Sequence, residues 1–497
     1  MASLTFHGGV GEIGGNKVLL EHDGKRLWFD FGMSFGQSGR YFSEYLQPKK
    51  FNGVTDYLVT GLLPGLDDMC GLYRQDYLAH CDMQLVEQPA YDAVFLSHAH
   101  ADHASYVHFL RKDIPVYSSE VTRRILYAIE ETSASGSCDF TVFRESFLLR
   151  EKKRGEGMTK AKGEETRSQR DFRVLEDYPG PVEIGGMAIE GVPVNHSLPG
   201  ARAYIVHTSD GAIVYTGDLR FHGYGGAFTE SFVERACSVR PLALVCEGTR
   251  VDQRESASEE YVRDRVAEIA RDRSLVVANF PIRDTERMSS FLDVARATGR
   301  KLAISTKQAF LLKQLEGTDA GAPSPNDESI AIYVRRKNWG LITKRGRYPE
   351  EIMLQDYDKW ELEFLDYPNA VTCEDISANQ TDFIVRIDFF ELPDLISLRP
   401  AEGSCYIRSV TEPHDEEDEI DLKRAQEWLK LFGLFPYEQV HASGHLSGVE
   451  LQKLIHQVRP KMLIPVHTEK PEAFLDLAPK GTEVVLPELG KRIALSR

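Results

Sequence analysis

Ser97-His98-Ala99-His100-Ala101-Asp102-His103 is the stretch that decides how this chain is read. An apolar strand-like run from Tyr91 leads into it and a helix follows. It holds four potential metal ligands, which cannot all point one way from a helix or a strand. On a loop they can converge, with His98 and His100 reaching one ion while Asp102 and His103 turn to a second. Imidazole nitrogen and carboxylate oxygen suit zinc, and manganese tolerates them too. A lone histidine is usually a satisfied surface or core residue; four such ligands together rarely are.

One loop cannot close two metal sites, so further ligands are expected at strand ends. Three places qualify. Val194-Asn195-His196-Ser197 follows an apolar strand, Tyr215-Thr216-Gly217-Asp218 ends another, and Ile464-Pro465-Val466-His467 ends a third. Each is weak alone, and their shared placement gives them weight. Two divalent ions about 3.5–4 Å apart can hold a bridging hydroxide near neutral pH. Such a site hydrolyses a phosphodiester in line, without a covalent intermediate.

Outward from these motifs, the first third reads as strands with tight turns. Lys17–His22 and Lys25–Asp30 flank the hairpin signal Asp23-Gly24. Val182–Pro193 and Ala203–Asp218 continue that texture. After Glu247 strands and helices alternate, the pattern of a small α/β unit with parallel strands. Ser256 and Glu259 have capping-box spacing and open a helix to about Arg271. Strand Ser274–Phe280, helix Asp284–Thr298, strand Lys301–Ser305 and helix Lys307–Glu316 follow. Asp421–Phe432 reads as a helix, Ser447 and Glu450 open the last long one, and Lys461–Val466 is the strand after it. Residues 150–173 carry nine Lys/Arg against five Asp/Glu with almost no apolar periodicity. They read as a solvated loop that could touch a nucleic-acid backbone.

Composition sets bounds. The 497 residues suit two or three units, and 42% hydrophobic with 27% charged residues is ordinary globular composition. No run of about 18 uncharged apolar residues exists, so no membrane span is expected. Met1–Val10 lacks the basic flank and apolar run of a secretory signal. Seven scattered cysteines without CxxC imply neither a disulfide framework nor a zinc ribbon, and suit a reducing cytoplasm. The net charge of −17 argues against loose coating of nucleic acid, though a cleft can gather metals and basic residues in an acidic chain. Gly9-Val10-Gly11-Glu12-Ile13-Gly14 fits a dinucleotide fingerprint by letters, but a hairpin rather than a helix follows. His222 and His108 are among the histidines that have no ligand-like context.

The ordered set of motifs resembles the metallo-β-lactamase superfamily, and within it the β-CASP nucleases and ribonuclease J. HxHxDH, then His196, then Asp218 is the superfamily's ligand order. Gly8-Gly9-Val10-Gly11-Glu12-Ile13-Gly14 and Asp30 match the opening hairpin of the ribonuclease J family. Glu247 of Cys246-Glu247-Gly248-Thr249 matches the acidic motif that opens a β-CASP insert. His445 of His441-Ala442-Ser443-Gly444-His445 and His467 match the two later motifs. The resemblance implies an α/β fold: a metallo-β-lactamase αββα sandwich from 1–247 and 440–497, with a β-CASP domain, 248–439, inserted. It implies that His98, His100 and His196 hold one metal, Asp102, His103 and His467 the other, and that Asp218 bridges them. Asp30 and Glu247 would accept hydrogen bonds from ligand histidines. His441, Ser443 and Gly444 would bind a substrate phosphate, with His445 at the scissile phosphate.

A histidine at position 467 resembles the RNA-acting branch, so the implied activity is a metal-dependent ribonuclease on single-stranded RNA, using two divalent ions, zinc or manganese. Cleavage would be 5′-exonucleolytic, with endonucleolytic cleavage also open. The family's Thr-Gly-Ser-rich loop for the RNA 5′ end is replaced by Tyr406–Pro413, where Arg408 and Ser409 could stand in. With 30 residues after His467, the family's further C-terminal domain is expected to be missing, and self-association as a homo-oligomer stays open. Two other classes remain: a hydrolase of a small ester, thioester or phosphodiester, and a non-catalytic RNA-binding subunit. A β-CASP-like roof argues against the first and a complete ligand set against the second.

Overall fold

A computed structural model describes every residue except 44, 50–51, 134–137, 255–256, 342–347, 414–415 and 496–497. Among the described residues no helix is long and apolar enough to cross a membrane. The described strands include three seven-stranded sheets.

The first sheet runs, edge to edge, Phe172–Val174, Val116–Ser118, Ala93–Phe95, Lys25–Phe29, Val18–His22, Ser3–Phe6 and Arg492–Ala494. The second runs Val182–Ile184, Met187–Pro193, Arg202–Thr208, Gly211–Tyr215, Ala243–Glu247, Met462–Val466 and Glu483–Val484. Alternation along the strands divides their side chains between two faces. Leu20, Leu27, Phe29 and Phe95 of the first sheet meet Ile189, Tyr204, Ile213, Val245 and Ile464 of the second in one buried cluster. The intervening residues look outward. Leu19, Trp28 and Val94 pack with Val121, Ile125 and Leu126 of the helix Glu120–Thr132. Val214, Leu244 and Leu463 pack with Phe232 of the helix Gly226–Val239 and with Leu451 and Ile455 of the helix Gly448–Val458. The result is a helix–sheet–sheet–helix sandwich.

The chain leaves this sandwich after Glu247 and returns with the helix Gly448–Val458 and the strand Met462–Val466, which lies beside Ala243–Glu247 in parallel, Glu247 against Val466. Between them stands the third sheet: Ala370–Val371, Ile330–Tyr333, Lys301–Ser305, Phe383–Arg386, Val276–Asn279, Cys405–Arg408 and Glu438–Gln439. All its pairs are parallel, and both faces are covered, as parallel sheets require. Val276, Ala278, Leu302 and Ile304 face one core and Val277, Ala303, Val385 and Tyr406 the other.

Most elements fall within a few residues of expectation. The helix expected from Ser256 spans Glu259–Ala270; Ser256 lies outside the described residues, and Ser258 is the N-cap, accepting from Tyr261 N. Ser447 and Glu450 form a reciprocal capping box. Residues 150–173 depart from a plain loop. Leu149–Glu151 pairs with Met158–Lys160, Arg167–Gln169 with Val142–Arg144, and Phe172–Val174 extends the first sheet. Arg170 is fully buried and donates to the carbonyls of Leu110, Arg111 and Asp139. Those bonds and the ladder give an apolar-poor segment its structure.

Candidate metal centre

The Ser97–His103 loop follows the strand Ala93–Phe95 and runs into the short helix Ala101–Ala104, with His100 at its N-cap. His196 follows the strand Met187–Pro193, Asp218 follows Gly211–Tyr215, and His467 follows Met462–Val466. All four places lie at one end of the sandwich. The ligand-type atoms of His98, His100, His196 and Asp218 lie within 4.8 Å of one another, and so do those of Asp102, His103 and His467. His100 Nδ1 is 2.8 Å from His98 Nε2 and 3.0 Å from His196 Nε2. Asp218 Oδ2 is 3.1 Å from His103 Nε2, 3.6 Å from His98 Nε2, 3.6 Å from His467 Nε2 and 3.8 Å from His196 Nε2. His467 Nε2 is 3.1 Å from Asp102 Oδ2. Asp218 thus stands between the two sets.

The donor set fits divalent cations. Asp218 Oδ1 is buried with no hydrogen-bond partner, which is costly for a polar atom unless something else binds it. Burial, then neighbouring imidazoles, hold His98 well below the usual histidine range. Burial also depresses His196, and takes His100 down to about 4. Three neutral imidazoles are three available lone pairs. Burial opposes charge on His103 and His467 as well, but the carboxylates of Asp218 and Asp102 outweigh it. His103 is raised well above its usual range and His467 to about 9. Burial would lift the carboxyl of Asp218, yet His103 and His467 hold it well below the carboxylate range. A metal ion held there would take the place of the protons on His103 and His467.

Outer partners fix the rings. Asp30 is fully buried and accepts from Ser97 N at 2.6 Å, Ser97 Oγ at 2.7 Å, His103 Nδ1 at 2.7 Å and Tyr215 Oη at 2.6 Å. With the Nδ1 proton of His103 on Asp30, Nε2 is left for the cluster. Glu247 differs from expectation. It meets not a ligand histidine but His445, whose Nδ1 is 3.1 and 3.2 Å from its two oxygens. The intervening role falls to Thr249, whose Oγ1 bonds both Glu247 Oε2 and His467 Nδ1, the latter at 2.8 Å. His196 Nδ1 donates to Gly444 O at 2.6 Å. A Cβ on Gly444 would lie 2.9 Å from His196 Cε1, so only glycine permits this approach.

The glycine-rich N-terminus supports the same loops. His467 N donates to Gly9 O, and Asn16 N to Asp102 O. A Cβ on Gly14, which has φ +83°, would lie 2.8 Å from the Asp102 side chain. Asp30 and His467 themselves have φ of +57° and +53°, a strained region for residues other than glycine, costing on the order of 1–3 kcal/mol each.

The 441–445 loop lies on the His196 side. Arg287 Nη1 donates to His441 Nδ1 at 3.1 Å and to Ser409 O at 2.8 Å, Nη2 donates to Ala442 O at 2.8 Å, and Nη2 also pairs with Glu259 Oε1 at 2.9 Å. His441 is pushed down to about 3 by burial and then by Arg287. Its ring is therefore neutral with the proton on Nε2, which has no partner. Arg220 pairs with Glu259 and Glu286. His222, which the sequence left without a role, donates from Nε2 to Ser443 O at 3.0 Å. The Ser443 hydroxyl accepts from His445 N at 3.2 Å. The Arg408 guanidinium donates to the carbonyls of Val410 and Thr411 and to Gln439. Ser409 is fully buried, its hydroxyl donating to Val440 O and accepting from Arg287.

This arrangement is the metallo-β-lactamase fold with a β-CASP-type α/β insert and a His/Asp centre suited to divalent metal. A protein of unknown function from Enterococcus faecalis V583 has a crystal structure with the same fold. It aligns over 99% of both chains with a TM-score of 0.69 and 23% identity. The family model for the Zn-dependent metallo-hydrolase RNA specificity domain, RMMBL, matches residues 437–487. The particular likeness is to ribonuclease J. The protein of that name from Sinorhizobium meliloti is 24% identical over 481 residues, 93% of this chain and 68% of its own length. That from Pyrococcus abyssi is 21% identical over 496 residues, 94% of this chain and 90% of its own. That from Mycoplasma pneumoniae is 22% identical over 476 residues, 93% and 67%. The chain is ribonuclease J-like along nearly its whole length.

Proposed function

We propose that this chain is a metal-dependent ribonuclease that hydrolyses phosphodiester bonds of single-stranded RNA by the 5′-exonucleolytic route, with endonucleolytic cleavage as a second mode. The observation that carries the reading is the convergence of two ligand sets on Asp218, with Asp218 Oδ1 left without a hydrogen-bond partner. His98, His100 and His196 would hold one ion, Asp102, His103 and His467 the other, and Asp218 both; zinc suits this set and manganese is tolerated. When bound, the two ions supply Lewis-acid activation of the attacking water and neutralise charge on the phosphoryl oxygens.

The remaining work belongs to the chain. Asp30 and Thr249 hold His103 and His467 by Nδ1 so that Nε2 faces the centre. His445 has its Nδ1 on Glu247, so proton exchange with the leaving oxygen runs through Nε2. His441 offers an Nε2–H donor to a substrate phosphate, with Ser443 and Gly444 beside it. The unit formed by 1–247 and 440–497 carries the chemistry, and 248–439 roofs it, supplying Arg287 and Glu259 to brace the phosphate loop. The test uses one RNA labelled at its 3′ end, carrying a 5′-monophosphate, 5′-triphosphate or 5′-hydroxyl, and a DNA copy, in Zn²⁺ or Mn²⁺. Metal-dependent loss of RNA but not DNA is expected, fastest for the monophosphate. Intact nucleic acid with metal bound would move a small-ester or small-phosphodiester hydrolase into its place.

A further inference from the structure

Beside the ligand cluster lies a pocket of about 450 Å³, within the size range of small-molecule sites. His100 forms part of its wall, so whatever fills it adjoins the metal centre. Five aromatic side chains, Phe42, Tyr57, Tyr106, Phe109 and Phe140, stand in its lining among aliphatic and polar residues. Tyr57 and Tyr106 meet edge to face at 5.8 Å. Tyr106 is 4% exposed, and its hydroxyl is buried without a hydrogen-bond partner. No residue of the 441–445 loop lines the pocket.

Arg283 completes the wall from the other layer, between the strand Val276–Asn279 and the helix Thr285–Ala297. Its surroundings set it apart. Arg220 and Arg287 are both committed to buried carboxylates. Arg283 has no hydrogen bond or ion pair with any described residue, and Cys138 is its sole electrostatic neighbour there. It is exposed at the pocket rim, yet the enclosing protein depresses its pKa from the usual guanidinium range. In a chain of net charge −17, an unpaired guanidinium held over an aromatic cavity beside the ligand cluster is a place for an anion joined to a flat ring.

We propose that this pocket is a nucleotide subsite, which takes the base and sugar of the RNA residue flanking the scissile phosphate, with Arg283 holding a phosphate of the same strand. The proposal rests on the ribonuclease reading. Aromatic walls stack any base, so the subsite grips without reading sequence. The Tyr106 hydroxyl is placed to meet a polar edge or a ribose oxygen.

The experiment uses the full chain with zinc and a 3′-labelled RNA decamer in which one abasic ribose is moved through each position. An abasic residue next to the first cut should lower kcat/KM by roughly 5- to 100-fold, the equivalent of one lost base stack, while distant positions stay near the parent rate. Arg283→Gln should raise KM about tenfold with kcat within about twofold, and weaken the salt dependence of log KM by about 0.7, the value for one single-strand phosphate contact. Bound zinc per chain should be unchanged. Should Arg283→Gln fold poorly, the abasic series in the unaltered protein still decides. Cleavage of the parent decamer with no abasic effect at any position and a wild-type Arg283→Gln salt slope overturns the subsite alone. A wild-type protein that leaves the parent decamer intact overturns the ribonuclease reading and the subsite with it.

Discussion

Asp30→Asn changes one atom of a fully buried residue that touches none of the proposed substrate groups, and its effect can be worked through. The carboxylate accepts four hydrogen bonds, from Ser97 N, Ser97 Oγ, His103 Nδ1 and Tyr215 Oη. Asn keeps one acceptor oxygen, which stays with Ser97 N. Its amide then faces the three donors at the other oxygen. The Ser97 and Tyr215 hydroxyls can rotate away, but the His103 ring cannot. It accepts the amide proton only by moving its own proton from Nδ1 to Nε2, the nitrogen 3.1 Å from Asp218. That tautomer has no lone pair for a metal. Losing an outer partner of a ligand histidine typically costs 10–100-fold in metal affinity, or about 1.4–2.7 kcal/mol. Loss of a hydrogen bond to a charged acceptor costs about 1.5–3 kcal/mol of fold stability. Zinc competition against a chromogenic chelator, together with urea unfolding of the metal-free protein, separates the two effects. One zinc should bind at wild-type affinity, in the His98–His100–His196 set, and one should weaken. Two zincs bound at wild-type affinity in a folded Asp30→Asn protein would refute the tautomer argument.

Three further outcomes are expected. His445→Ala should retain both metals and lose about 10²–10⁴-fold in turnover of RNA, checked by metal content beside single-turnover rates; a wild-type rate would remove His445 from the chemistry. Gly444→Ala places a Cβ 2.9 Å from His196 Cε1, so the ring must shift, and turnover should fall about 10- to 100-fold in steady-state assays while the fold persists by circular dichroism. The carboxyl of Glu259 would be raised by burial, but Arg287 and Arg220 outweigh this and hold it at about 2. Its folded pKa lies below its unfolded value near 4.3, so its contribution to stability is present at neutral pH and is lost as pH falls from about 4 towards 2. Glu259→Gln should therefore lower the urea midpoint at pH 7 and converge on wild type near pH 2–3.

The parts of the site that could be read from sequence are those whose chemistry is rare. His98, His100, Asp102 and His103 announce themselves by density, and His196, Asp218 and His467 by standing where apolar strands stop. Hydroxyls and buried arginines carry no such mark. Thr249 and Tyr215 lie within motifs singled out for their neighbours, and threonine and tyrosine are common in strands for packing reasons. The Arg220–Glu259–Arg287 network joins residues from three distant segments, and no spacing rule foretells such a meeting. The role of Glu247 was misplaced because position in a motif does not say which imidazole a carboxylate will reach. Regular elements with strong alternation, such as Lys301–Ser305, were read to the residue. The strand Phe172–Val174 was not, because its pairing with Val116–Ser118 comes from the ladder and from Arg170 rather than from an apolar pattern.

The adjacency of Ala243–Glu247 and Met462–Val466 has a consequence for biosynthesis. Asp102 must wait for a partner 365 residues further along the chain. A ribosome has finished Asp218 and the whole third sheet before it reaches Met462, so the first ligand set can assemble on the emerging polypeptide while the second is still unpaired. Any nascent chain, or any fragment released before His467, lacks one of the ligands proposed for the second ion. On the proposed function, a chain that cleaves RNA completes its two-ion centre only when its own message has been read almost to that codon, and this follows from topology alone.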